Sequence, residues 1–144
     1  MIKIFNDGDA KRCSEIMLKC VDKFEGYSKE NKDFLIKMSQ PDKLIEKARK
    51  TMFYVYQENG KILGTGVFDN GEIRTMFVDP EYQGKGIGER ILKFLVNLGK
   101  SKGYKRFFLG ANPEAEGFYE KMGFIKTGET NDFNFRTINM ERVF

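Results

Sequence analysis

The chain has 144 residues, 40% of them apolar with 14 phenylalanines, and a net charge of +4 from 25 Lys+Arg against 21 Asp+Glu. That length and composition suit one folded domain over residues 1–144, able to bury most of its apolar surface, and argue against a disordered chain. The chain has no histidine, which excludes a His-based zinc site, a Ser-His-Asp triad and a Cys-His dyad, and leaves acid–base work to carboxylates, tyrosines and lysines.

No apolar segment approaches the ~20 residues of a membrane span, and no basic-then-apolar leader opens the chain. A cytoplasmic protein without a membrane partner is therefore expected. The charges are well mixed and the basic clusters short, with no aromatic-basic stripe, so no nucleic-acid partner is expected either. Cys13 and Cys20 share a helix face about 10 Å apart by the helical rise. They are too distant for a disulfide within the helix and read as buried free thiols.

Met1 to Phe5 reads as a short strand, with Asp7-Gly8-Asp9 as turn and helix cap. Cys13, Ile16, Met17, Cys20, Val21 and Phe24 then recur on one face of a helix. A second helix runs from about Lys29 to Met38, and Pro41 starts a short third with Leu44, Ile45 and Ala48 inward. From Met52 the texture becomes aromatic and β-branched. Asn59-Gly60 and Asn70-Gly71 are hairpin turns that divide Met52–Gln57, Lys61–Phe68 and Glu72–Val78 into an antiparallel meander.

Behind that meander comes Gln83-Gly84-Lys85-Gly86-Ile87-Gly88, then a one-sided helix to Lys102 with Gly103 past its end. A strand, a bare turn and a helix N-terminus together make an anion cradle. Lys105–Leu109 is a strand, and its helical connection implies parallel pairing with the strand before the turn. Glu114–Met122 is a short helix, and Phe124–Thr127 and Arg136–Val143 are strands around a polar loop, Gly128–Phe135. The fold class expected is α+β: one mixed, mostly antiparallel sheet with helices on both faces, in the order β-α-α-β-β-β-α-β-α-β-β.

Two phosphate motifs fail in detail. A dinucleotide fingerprint begun at Gly84 needs glycine where Glu89 stands, and a P-loop needs Ser or Thr where Gly86 stands. The run from Val78-Asp79-Pro80 through Gly88, followed by Asn112-Pro113 and by Gly117-Phe118-Tyr119-Glu120-Lys121-Met122-Gly123-Phe124, resembles the GNAT superfamily of N-acetyltransferases. The element order agrees along essentially the whole chain.

The resemblance implies an acyltransferase that moves the acetyl group of acetyl-CoA to a primary amine in a ternary complex. No metal is implied. A non-catalytic acyl-CoA sensor is the alternative, and a homodimer through exposed strand edges is an option the resemblance leaves open. It places the pyrophosphate on the backbone of Gly84, Lys85, Gly86, Ile87 and Gly88, beside Gln83. Pantetheine would pair like an added strand with Met76, Phe77 and Val78, facing Asn112, Ala115 and Phe118. A backbone N–H near Val78 would meet the oxyanion.

Tyr119 holds the family's general-acid position. Full proton transfer from tyrosine to a thiolate is uphill by about 2 kcal/mol from the ordinary pKa values, so Tyr119 needs a depressed pKa or acts by hydrogen bonding. Glu72, eleven residues before Gln83, matches the base of histone-type members, with water as the alternative. No cysteine lies in the glycine turn or the Tyr119 helix, so a covalent acetyl-enzyme has no evident nucleophile. Acceptor recognition is expected from Phe24–Met38, a strand edge around Tyr54 and Tyr56, and the Gly128–Phe135 loop. Tyr27, Tyr54 and Phe133 are candidate cation–π partners, and Glu25 and Asp132 candidate acidic contacts.

Overall fold

The computed structural model describes residues 1–132 and 135–144 of the chain. Among them, the order is β1 (Ile2–Ile4), α1 (Ala10–Asp22), α2 (Lys29–Met38), α3 (Pro41–Lys50), β2 (Met52–Glu58), β3 (Lys61–Asp69), β4 (Glu72–Val78), α4 (Ile87–Ser101), β5 (Arg106–Ala111), α5 (Glu116–Lys121), β6 (Ile125–Asp132) and β7 (Phe135–Val143). The strands form one sheet in the order β1-β2-β3-β4-β5-β7-β6. All neighbours are antiparallel except β4 and β5. No helix among the described residues is long and apolar enough to cross a membrane.

The two Asn-Gly pairs set the meander. Asn59 and Gly60 have φ of 50° and 75°, and Asn70 and Gly71 of 50° and 96°. Two successive positive φ values are what a type I′ hairpin turn demands, and Asn-Gly meets that demand most cheaply. Strand alternation then sends Phe53, Val55, Ile62 and Val67 to one face, where α1 and Leu44 of α3 cover them. Tyr56, Leu63 and Phe68 face the other way, under α4 and the Tyr119 segment. Both cysteines are free and buried, and burial pushes the Cys13 thiol up to about 12.

Glycines let α4 lie close to β3. A Cβ on Gly66 would stand 2.5 Å from Ile91 and 2.9 Å from Leu95, and one on Gly64 would stand 2.8 Å from Ile91. Any side chain there would force Ile91 and its neighbours on α4 to move.

The C-terminal hairpin corrects one expectation. Residues Gly128–Asp132 continue β6, and β7 begins at Phe135. Glu129 pairs with Ile138, Thr130 with Thr137 and Asn131 with Arg136. Polar side chains hide this strand because their partners are across the ladder: Asn139 Nδ2 donates to Thr130 at 2.7 Å, and Arg136 pairs with Glu129 at 2.8 Å. The expected recognition edge at Tyr54 and Tyr56 is also overturned. Strand β2 lies between β1 and β3. Tyr54 packs on Phe94 at 4.8 Å, and the Tyr56 hydroxyl sits between Glu58 and Arg90.

The end of β4 is pinned by a buried charge. Asp79 is fully buried; Arg12 of α1 reaches it at 2.6 Å and Lys19 at 3.5 Å. Arg12 Nε also donates to Ile62 O, and Asp79 Oδ1 accepts from Glu81 N–H. Burial pushes the Asp79 carboxyl up, but the Arg12 hydrogen bond, the Glu81 N–H and Lys19 together hold it below its ordinary value. Arg12→Met leaves the carboxylate buried beside Lys19 alone, and urea unfolding should show a loss of about 3–5 kcal/mol. A carboxyl with a lowered folded pKa contributes stability above its unfolded pKa of about 4, lost as pH falls through the folded value. Wild type should therefore lose stability below about pH 4 more steeply than Asp79→Asn does; equal slopes in a pH series of urea melts would remove Asp79 from the acid transition.

Candidate active site

Strands β4 and β5 touch in register only at Glu72 and Phe108, with Phe108 N–H donating to Gly71 O at 3.0 Å. Beyond that point they part. Strand β4 stays with β3 as far as the Gly64–Val78 pair, while β5 stays with β7 as far as Ala111–Ile138. The main chain of β4 from Arg74 onward therefore has no strand partner on its β5 side among the described residues.

A bulge sharpens the parting. Thr65 pairs with Phe77 and Val67 with Arg74, so Gly66 alone stands opposite Thr75 and Met76. Thr75 has φ +55°, a conformation that β-branched residues rarely adopt. Its carbonyl accepts from the fully buried Thr65 hydroxyl at 2.7 Å. The extra residue changes which face of the sheet the next side chains occupy. Ile73, Met76 and Val78 all pack toward α4, while Phe77 packs toward α1.

Two cavities occupy the opening. The larger, about 530 Å³, is bounded by Cys20, Phe24 and Tyr27 from the α1–α2 side and by Gly110–Asn112 from the β5 side. The smaller, about 500 Å³, is bounded by Gly84, Gly86, Ile87, Gly88 and Phe118. Met76, Val78, Gln83, Ala115 and Tyr119 line both. The two adjoin along this shared wall, which includes Tyr119, and make one passage.

The glycine turn leaves the backbone open at the start of α4. Gly84 and Gly86 have φ of +78° and +82°, with nothing within 4 Å of where a Cβ would sit. Backbone conformation, not crowding, selects glycine here. Gly86 caps α4 in the left-handed region, and the helical ladder begins when Arg90 N–H reaches Gly86 O at 3.1 Å. The N–H groups at the start of the first turn point outward with the positive end of the helix dipole. Gly88 is close-packed instead: a Cβ there would stand 3.4 Å from the Phe118 ring. Lys85 bounds neither cavity; its ammonium lies 5.2 Å from the Tyr82 ring centroid.

Tyr119 is buried, edge-on to Phe118 at 5.0 Å and to Phe124 at 6.0 Å. Burial pushes its phenol well above the ordinary tyrosine value. The depressed pKa that one version of the general-acid role required is thus overturned. A phenol so held keeps its proton through the ordinary tyrosine range and can donate a hydrogen bond. Asn112 bounds the larger cavity, with its Oδ1 engaged by Ala115 N–H at 3.0 Å.

Glu72 is a further correction. It sits at the hairpin end of β4, opposite Asp69, with Arg74 Nε 3.8 Å away. Neither cavity includes it among the described residues. Sequence spacing matched a strand position, but the register of β4 puts that position at the closed end of the split.

Sequence reasoning missed Lys23 and Glu114, a cationic and an acidic residue bounding the larger cavity, and Cys20, whose thiol donates to Val78 O at 3.3 Å; Arg74 also bounds it, with its guanidinium turned to Asp69 and Glu72. Burial pushes the Cys20 thiol up to about 11. The amphipathic spacing of α1 revealed the buried face of Cys20 but not the cavity at its end. Tyr27 does reach the cavity, edge-on to Phe24 and Phe135. Glu25 instead donates its backbone N–H to Glu114. Phe133 and the Asp132 side chain lie outside the described residues.

Residues 23–144 match the family described as the acetyltransferase (GNAT) domain. A glucosamine 6-phosphate N-acetyltransferase of Trypanosoma brucei brucei is 31% identical over 85 residues, which cover 51% of this chain and 58% of that protein. The chain thus matches little more than half the length of that relative. Among solved structures, a GCN5-related N-acetyltransferase from Rhodopseudomonas palustris superposes with a TM-score of 0.90 at 16% identity, covering 100% of this chain and 95% of the other. The PaiA N-acetyltransferase of Thermoplasma acidophilum, solved in complex with coenzyme A, gives 0.85 at 20% identity over 100% and 98%. The fold, the parted strands and the family match agree: this chain belongs to the GNAT acetyltransferase family.

Proposed function

We propose that residues 1–144 form one N-acetyltransferase domain that moves the acetyl group of acetyl-CoA to a primary amine by direct transfer in a ternary complex. The observation that carries this reading is the shared wall: a cavity reaching the glycine turn and a cavity reaching the α1–α2 aromatics adjoin along Met76, Val78, Gln83, Ala115 and Tyr119. A thioester entering from one side and an amine from the other would meet there.

In this reading Gly84, Gly86, Ile87 and Gly88 hold the pyrophosphate by backbone N–H groups, and Gln83 flanks them. Lys85 adds only positive potential at the rim. The unpartnered edge of Met76–Val78 takes the pantetheine amides, with Asn112, Ala115 and Phe118 opposite. A main-chain N–H near Val78 meets the developing oxyanion, with no reorganisation at the moment of reaction. Tyr119 donates a hydrogen bond to the departing sulfur. Water, rather than Glu72, takes the amine proton, because Glu72 lies at the closed end of the split. The acceptor is a small amine or a peptide amine that lies against Phe24, Tyr27 and Phe135, between Lys23 and Glu114.

Tyr119→Phe removes one hydroxyl and no packing surface. Its kcat, followed by release of free thiol with an active amine, should fall about 100-fold, with acetyl-CoA affinity unchanged. Full activity would remove Tyr119 from the chemistry. Glu72→Gln should leave the pH–rate profile where it is; an alkaline shift would restore Glu72 as the base. Coenzyme A at 100 times its Kd should raise the stability of wild type by about 2.7 kcal/mol. Gly86→Ala, strained at φ +82°, should show a smaller ligand-induced rise in thermal midpoint. An equal rise would move the anion away from this turn. Thermal stabilisation by coenzyme A with no turnover against any amine would favour an acyl-CoA sensor.

A further inference from the structure

Thr75 is a strained residue held from both ends, and one of the two grips comes from an unexpected place. Asn59 and Asn70, the other non-glycine residues with positive φ among those described, sit in hairpin turns that call for it. Thr75 sits inside a strand, is β-branched, and bounds the larger cavity. Such a conformation persists only where its surroundings over-determine it. Thr65, fully buried in β3, takes the carbonyl. The hydroxyl is taken by Lys47 of α3, whose Nζ donates to Thr75 Oγ1 at 2.9 Å.

Lys47 is an odd choice for that contact. Its side chain is half-buried, and no carboxylate pairs with it among the described residues: Glu46 pairs with Lys50, and Asp69 with Arg74. Burial and the neighbouring Arg74 cation hold its amine below the ordinary lysine value. A lysine drawn from water without a counter-ion, to grip a neutral hydroxyl on the underside of a bulge, is poorly explained by stability alone. The bulge it grips decides where the main chain of Met76–Val78 points.

We infer that Lys47 is a positioning residue for acetyl transfer: through Thr75 it holds the β4 bulge, and the bulge sets the main chain of Met76–Val78 in the wall that the two cavities share. This rests on the reading of that passage as the catalytic centre. Lys47 bounds neither of the two cavities. It acts from the α3 side of the sheet, at a distance from the glycine turn, so coenzyme A binding and turnover should respond differently to its loss.

The test compares Lys47→Met, Thr75→Val and the double variant, reading thiol release, coenzyme A affinity and the amide NMR resonances of Met76, Phe77 and Val78. Each single variant should lower kcat about tenfold, as a small misplacement of reacting groups does, with coenzyme A affinity unchanged. The double variant should be no worse than either single one, because both remove the same contact. The three amide resonances should move in each, while those of Gly84–Gly88 stay in place. Wild-type kcat in the single variants, multiplied losses in the double variant, or unmoved amides at Met76–Val78 would each overturn the inference. If Lys47→Met does not fold, Thr75→Val decides it by the same readouts. If wild type turns over no amine, the catalytic reading of the passage fails separately, and the amide resonances still decide whether Lys47 sets the bulge.

Discussion

Strand β4 serves two neighbours that run apart, and it can accompany only one of them. It stays with β3 to its end and leaves β5 after Glu72. An unpaired sheet edge in the interior is costly unless something else satisfies it, because every backbone N–H and C=O must find a partner. The split is therefore both a defect in the sheet and a place for an extended ligand whose amides can complete it. The features around the site all serve to hold that split open: the Thr75 bulge, the burial of Tyr119 between two cavities, and the turn that carries the chain from β4 into α4.

Polar contacts fix the chain on either side of the split. Asp79 and Arg12 tie the end of β4 to α1 and to the Ile62 carbonyl. Thr65 of β3 and Lys47 of α3 hold Thr75 from opposite sides. Gly64 and Gly66 let α4 press against β3, which brings the N-terminus of that helix to the mouth of the split. One helix thus supplies Ile87, Ile91 and Leu95 to the core and its first turn to the wall of the smaller cavity.

Much of this is legible in residue order. Asn59-Gly60 and Asn70-Gly71 specify the meander because two positive φ values in succession have few other sequence solutions. Gly84 and Gly86 specify the turn for the same reason, and the amphipathic spacing of α1 and α4 marks their buried faces. Sequence reading fails where partners come from distant segments. Gly128–Asp132 reads as a loop because its polar side chains are matched by Arg136 and Asn139 across the ladder. Tyr54 and Tyr56 read as available because nothing local says that β1 covers their strand. Glu72 stands at the right spacing, yet it lies at the closed end of the split.

The chain by itself determined the element order, the hairpins, the glycine turn and the family to which they point, because each rests on local backbone preference or on a short motif. Only the tertiary structure decided where β4 and β5 part, that Thr75 is strained and held by Lys47, that burial raises rather than lowers the Tyr119 pKa, and which side chains bound the two cavities. Those are matters of register, desolvation and contact between residues far apart in sequence, and no local pattern encodes them.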